Sequence, residues 1–324
     1  MLRLVFLLSV CYNLSAGTGY SYVYAGLISL SLLSQIKIKT SIILLFFAFI
    51  LFGFSLLNLE GVFILFGFTG IAFLRFRSPP YRFMLNSLLC ITIISVISGY
   101  TNQSGLLQGI YFKPNNFAVA VSAGSLVLVR LLHKENTSLG RLYIYGIVFV
   151  VAAILSGSRI AIVVAALPFL RLCKERPLYL MIILIALITF YYQGLFDAIV
   201  GKLDRRAVFM EDERFYIWTE VINRLELIKY TDLSGLEKGL HNTFLFLLTS
   251  LGGILGSILS VILIIKLYGL SRLFGLGLMV ILLIYLNVEV IAYKELWITV
   301  VYFIAEFNYK KRHGKVKQMA IVYP

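Results

Sequence analysis

Apolar runs separated by short polar breaks recur along almost the whole chain. They lie near residues 2–14, 19–35, 41–57, 60–75, 83–100, 116–133, 142–157, 159–173, 178–193, 242–266, 273–292 and 295–308. A helix crosses the hydrocarbon layer in about 20 residues, so each run is a candidate span, several of them short. Such a pattern predicts an all-α, polytopic membrane helical bundle of about twelve transmembrane helices, forming one integral membrane domain over residues 1–324. Residues 1–17, with Arg3, an apolar stretch and Ser15-Ala16-Gly17, also have the make-up of a signal peptide. Kept or cleaved, it leaves the next span starting on the outside.

One stretch breaks the rhythm. Residues 194–240 hold nine of the fifteen acids and seven bases, more than a third of all charge. Within it Phe215, Trp218, Val221, Ile222, Leu225 and Ile228 recur at three- and four-residue steps, which predicts an amphipathic helix with Asp212 as N-cap. This segment is expected to form a large loop whose helix lies on the membrane surface or over the mouth of the bundle.

Composition agrees with the pattern. Of the 324 residues 60% are hydrophobic, and only 14% are charged against about 25% in an average soluble domain. A soluble enzyme, a disordered chain and a secreted disulfide scaffold are thereby excluded. Cys11, Cys90 and Cys173 show no metal-ligand spacing.

The net charge of +14 first suggests nucleic acid or anionic lipid as a partner. Placing the N-terminus in the cytoplasm assigns 19 of the 29 bases to that side, in the loops around residues 3, 37, 75–82, 130–141, 171–176, 266–272 and 310–317. The positive-inside rule then orients the chain with both termini cytoplasmic. Bases dispersed over short loops set topology, and no nucleic acid is expected as a partner.

Chemistry is sought where polar groups interrupt the spans on the outer side. Arg159, in Ser156-Gly157-Ser158-Arg159, falls at the junction of the seventh and eighth runs. It is either a snorkelling turn arginine or an anion clamp, since guanidinium matches phosphate with a bidentate fork. Arg214 shares a helical face with Trp218, Val221 and Leu225, and reads either as a partner of Glu211 or Asp212 or as a second phosphate contact. His241 precedes Asn242 and a long apolar run, which places a group suited to proton transfer at an outer mouth. His133 and His313 fall in cytoplasmic loops.

The arrangement resembles the O-antigen polymerase and O-antigen ligase group of bacterial envelope glycosyltransferases. The resemblance covers roughly residues 114–266. It is carried by Pro114-Asn115-Asn116-Phe117 opening a span, Ser156-Gly157-Ser158-Arg159, Arg214 with Trp218, and His241-Asn242-Thr243-Phe244-Leu245 followed by Gly252, Gly253 and Gly256. The family shows a Gly-x-x-Gly in the same helix as its His-Asn; here Gly253-Ile254-Leu255-Gly256 stands one residue later.

The resemblance implies a GT-C-like fold in the bacterial inner membrane, with the active site and the large loop facing the periplasm. It further implies an inverting, metal-independent enzyme without cofactors, acting on an undecaprenyl-diphosphate-linked oligosaccharide and working beside a chain-length regulator protein. In this reading Arg159 and Arg214 clamp the diphosphate and His241 deprotonates the acceptor. Lys113, Asn116, Arg205, Arg206, Glu220 and Asn242 are further substrate-binding candidates. The acceptor is another lipid-linked repeat unit for a polymerase and the lipid A core for a ligase. A flippase for lipid-linked repeats is the alternative from another class; twelve spans suit it, although the sequence shows no inverted repeat. Gly157-Ser158-Arg159 lacks the flanking glycine of a hydrolase nucleophile elbow.

Overall fold

The computed structural model describes residues 1–15, 18, 20–102, 105–111, 113–134, 139–175, 216–232, 242–274, 282–283, 286 and 293–313. The predicted span 178–193, most of the span 273–292 and most of the loop 194–240 lie outside these residues. So do Asp212 and the candidates Arg205, Arg206, Arg214 and His241. The chain forms two compact units, Met1–Pro80 with Ile217–Pro324, and Tyr81–Tyr216. Among the described residues the structure is helical, and the sole extended pairing is an isolated bridge between Thr101 and Leu107.

The first unit contains α1 (Leu2–Leu14), α2 (Tyr20–Leu33), α3 (Ile38–Gly53) and α4 (Leu59–Phe73). The second contains α5 (Tyr81–Ser98), α6 (Pro114–Lys134), α7 (Leu139–Ser156) and α8 (Arg159–Glu175). The chain then returns to the first unit with α9 (Thr243–Leu251), α10 (Gly253–Phe274) and α11 (Glu295–Arg312). The helices α5, α6 and α10 are long and apolar enough to cross a membrane. The structure thus shows a helical protein of membrane character.

Each unit is built around one helix. In the second it is α6, buried along nearly all of Pro114–Leu132 against α5, α7 and α8. Small residues make this possible, because Ala118, Ala120, Ser122, Ala123, Gly124 and Ser125 let neighbouring backbones approach closely. A Cβ on Gly124 would stand 2.4 Å from the Phe149 ring, and one on Gly146 would stand 2.9 Å from the Phe169 ring. The buried hydroxyls of Ser122 and Ser125 donate to the carbonyls of Ala118 and Val121, four residues back in the same helix.

In the first unit the central helix is α11, buried continuously from Glu295 to Phe307 and packed on α1, α4 and α10. It is tied to its neighbours at its start and along its middle. Asn13 Nδ2 at the end of α1 donates to Glu295 Oε2 at 2.7 Å. Farther along the helix the Tyr302 hydroxyl donates to the Leu2 carbonyl, and Phe76 N donates to the Ala305 carbonyl. Lys310, Lys311 and Arg312 close the helix where its dipole favours cations.

The outward faces are apolar. On α3 only Ala48 of sixteen residues is buried. On α10 Ile254, Ile258, Val261, Ile265 and Tyr268 make one exposed stripe, and on α7 Ile144, Ile147, Val151 and Leu155 make another. Faces of this kind suit lipid and would cost several kcal/mol in water.

Two elements depart from the sequence pattern. The run 242–266 is not one span: Gly252, with φ +80°, breaks it into α9 and α10. A Cβ on Gly256 would meet the Leu247 carbonyl oxygen at 2.6 Å, so α10 folds back against the middle of α9. Gly252-Gly253-x-x-Gly256 therefore serves a close helix crossing, which hydropathy averaging does not register. The amphipathic helix also ends early. Residues 216–223 are helical, but Leu225 and Ile228 lie in a non-helical strap. Its carbonyls cap α10: Gly253 N donates to Glu226 O at 2.8 Å and Ile254 N to Leu227 O at 2.9 Å.

Replacing Gly256 with Leu should lower the stability of the detergent-solubilised protein by about 1–3 kcal/mol, since its neighbour is backbone and cannot yield. Gly53→Ala, with nothing within 4 Å of the added carbon, should stay within about 0.5 kcal/mol of the parent. Thermal unfolding midpoints of the two variants measure the difference.

Candidate functional site

The second unit brings two of the sequence-predicted segments to one end. α6 and α7 run antiparallel, as the pairs Gly124–Phe149 and Gly146–Leu128 show, and α7 and α8 pack antiparallel through Gly146–Phe169. The N-termini of α6 and α8 therefore share an end. Over it lies the loop that follows α5. Leu107 N in that loop donates to the Leu155 carbonyl at 3.0 Å, and Leu106 fills the space a side chain on Gly157 would need. Gly157 itself has φ +66°, so a glycine suits this corner on both grounds.

The loop is built by its own polar groups. Asn102 Oδ1 accepts from Leu106 N, Gln108 N and Gly109 N both donate to the Tyr100 carbonyl, and Tyr111 packs its buried ring near Phe117. Lys113 precedes Pro114, the first residue of α6, and its carbonyl accepts from Asn116 N and Phe117 N. Proline fits there because the first helical N–H has no partner within the helix. Lys113 is exposed and Asn116 is buried.

Arg159 is the first residue of α8 and is exposed. Just before it, Ser156 Oγ donates to the Ala153 carbonyl and accepts from Ser158 N, and Ser158 Oγ accepts from Ala161 N. Ser156 thus finishes α7 and Ser158 opens α8. Neither residues 99–113 nor 156–159 include an acid, while Lys113, Arg159 and two helix N-termini supply positive charge and positive partial charge. An anion is the chemically matched ligand of this end.

The candidates described in the first unit have other partners. Asn242 is the N-cap of α9: its buried Oδ1 accepts from Phe244 N at 2.9 Å and Leu245 N at 3.0 Å. Its carbonyl oxygen is therefore committed to the helix. Glu220 pairs with Arg224 one turn on, receiving Nε and Nη2 at 2.7 Å each, a half-exposed pair of small energetic weight. Trp218 belongs to the helical face that packs against α9, where Val221 and Leu245 form a small buried cluster with Ile217, Phe246 and Leu248. The apolar spacing included Trp218 and Val221 of that face but not Ile217, and Ile222, which it also included, is exposed; nor could it identify α9 as the partner.

Two polar groups were missed by sequence reasoning. Glu295 is fully buried and bonded to Asn13. Asn308 joins α10 to the chain after α4, accepting from Lys266 Nζ and donating to the Leu74 carbonyl, both at 3.1 Å. The signal for Glu295 was an acid flanking an apolar run, which an interfacial residue also gives. Among the described residues no group of His, Cys, Asp and Glu could hold a metal ion. No protein-family model, curated protein or solved structure matches the chain.

Asn242→Ala should cost about 1 kcal/mol and speed hydrogen exchange at the Phe244 and Leu245 amides, whereas Asn242→Asp keeps both acceptor bonds. Exchange measured by mass spectrometry in detergent checks the cap.

Proposed function

We propose that the protein is a repeat-unit polymerase of a bacterial surface polysaccharide, joining undecaprenyl-diphosphate-linked glycans at the outer face of the inner membrane. The supporting observation is the electropositive end of the second unit, where the loop before α6 and the α7–α8 corner meet, expose Lys113 and Arg159, and include no acid among their described residues. Such an end suits a diphosphate.

Orientation follows from charge. In the first unit Arg3, Arg75, Arg77, Lys266, Lys310, Lys311 and Arg312 lie at the end where Leu2 meets Tyr302, with Glu306 the one acid described beside them. At the opposite end Glu220, Glu226, Asp232 and Glu295 outnumber Arg224, Lys229 and Lys294. In the second unit Arg82, Arg130, Lys134, Arg141, Arg171 and Lys174 lie toward the end remote from Arg159. By the positive-inside rule the basic ends are cytoplasmic. Arg159 and Glu295 then face the periplasm.

In the reaction, the acceptor hydroxyl attacks the anomeric carbon and the bond to the diphosphate oxygen breaks. The leaving diphosphate gains negative charge, which a fixed guanidinium stabilises. Arg159 takes that role with Arg214, and His241 takes the acceptor proton. Arg205, Arg206 and Lys113 contribute further positive charge toward the donor. Asn116 lies in the first turn of α6, next to Lys113, while Glu220 and Asn242 serve the local structure of the first unit.

A second reading, the flippase for lipid-linked repeats, is favoured by one observation: the helix break at Gly252 between α9 and α10 resembles the interrupted helices of transporters. The phenotypes separate these readings. Loss of a polymerase leaves single-repeat surface glycans. Loss of a ligase or a flippase leaves no surface glycan, with lipid-linked chains accumulating outside in the first case and single units inside in the second.

Complementing a deletion strain with Arg159→Ala, Arg214→Ala or His241→Ala should reduce polymer by about a hundredfold or more, with each variant still inserted in the membrane. Surface-glycan ladders read the result, and parental chain lengths from all three variants would refute the assignment.

A further inference from the structure

The basic end of the first unit contains a cluster with a construction of its own, independent of the catalytic reading. Lys266 on α10, Arg75 in the segment after α4 and Lys311 on α11 come from three separate elements. Lys266 lies in the electric field of both Arg75 and Lys311. Hydrogen bonds tie the three elements together. Asn308 accepts from Lys266 Nζ and donates to the carbonyl of Leu74, the residue before Arg75, both at 3.1 Å. Phe76 N, on the other side of Arg75, donates to the Ala305 carbonyl of α11 at 3.1 Å. The described acid nearest in sequence, Glu306, is buried and engaged by Lys310 at 2.8 Å. Arg75 and Lys311 are exposed and Lys266 is half-buried.

A second observation says what such a cluster would hold. The exposed stripe of α10, from Ile254 through Ile258, Val261 and Ile265, runs to Tyr268, and Lys266 stands at the same level on the neighbouring face that turns toward Asn308 of α11. An apolar strip of about three turns thus ends at an amphipathic ring, level with a basic cluster on the adjoining side of the same end, the order met by a lipid on passing from acyl chain to headgroup. We infer that Lys266, Arg75 and Lys311 bind the phosphate of an anionic phospholipid whose acyl chains lie along α10. A zwitterionic lipid offers the same chains but no net charge. A soluble phosphate offers the charge but nothing for the stripe.

The test is native mass spectrometry of the full-length protein in detergent, titrated with phosphatidylglycerol and phosphatidylcholine of identical chains and with inorganic phosphate. Phosphatidylglycerol should be retained about tenfold better than phosphatidylcholine. Arg75→Gln combined with Lys311→Gln should reduce it to the phosphatidylcholine level. These are exposed positions, and the Lys266–Asn308 bond is left in place. Arg224→Gln combined with Lys229→Gln, an equal loss of charge at the other end, should leave retention unchanged. Equal retention of the two lipids, or an equal loss in both double variants, would overturn the site. Displacement of the lipid by inorganic phosphate at equal concentration would overturn the lipid assignment.

Discussion

Charge is expelled from hydrocarbon, and the rest of this structure follows from where that expulsion leaves it. A charged side chain at the centre of a membrane helix costs about 2.5–3.5 kcal/mol on insertion scales, so a chain with 29 bases must send them to its ends or satisfy them internally. Both solutions are visible. Arg3, Arg75, Lys266 and Lys311 crowd one end of the first unit, while Arg159 stands at the first residue of α8 and Lys113 just before α6. Arg130 is the internal case, buried with its guanidinium 6.0 Å from the centre of the Tyr81 ring. What remains on the outward faces is Ile, Val, Leu and Phe.

The same constraint governs the polar groups kept inside. α6 and α11 are surrounded by protein, and each hides side chains that need partners. Ser122 and Ser125 find theirs within their own helix, Thr299 bonds the carbonyl of Glu295, and Glu295 takes the amide of Asn13 from 282 residues away. Where helices stop short, the strap 226–232 and the loop 99–113 supply what the ends lack. The strap's carbonyls receive the first N–H groups of α10, and Thr231 Oγ1 receives Glu226 N in return. A chain built this way places irregular backbone at the helix ends, where polar chemistry is possible.

The sequence shows some of this directly and some not at all. Helical membrane character was legible from apolar run length. The opening of α6 at Pro114 was legible because proline favours the first turn of a helix, and the α7–α8 corner because Ser-Gly-Ser breaks an apolar run. The fold-back at Gly252 was not legible, since Gly252 answers to the Ile228 and Lys229 backbones and Gly256 to that of Leu247, which only folding brings near. Asn242 illustrates a further limit. Beside His241 it reads as substrate chemistry, yet the oxygen that would do the work accepts two backbone N–H groups of α9. Glu220 likewise reads as a site acid and is held by Arg224.

In the proposed function glycosidic bonds form while Arg159 stabilises a diphosphate leaving group at the electropositive end of the second unit. The most direct measurement is turnover by the purified protein in detergent, supplied with only lipid-linked repeat units. Glycans of two or more repeats should appear together with released undecaprenyl diphosphate, and no such product from the Arg159→Ala protein. Recovery of the repeat units unchanged from folded parental protein would contradict it.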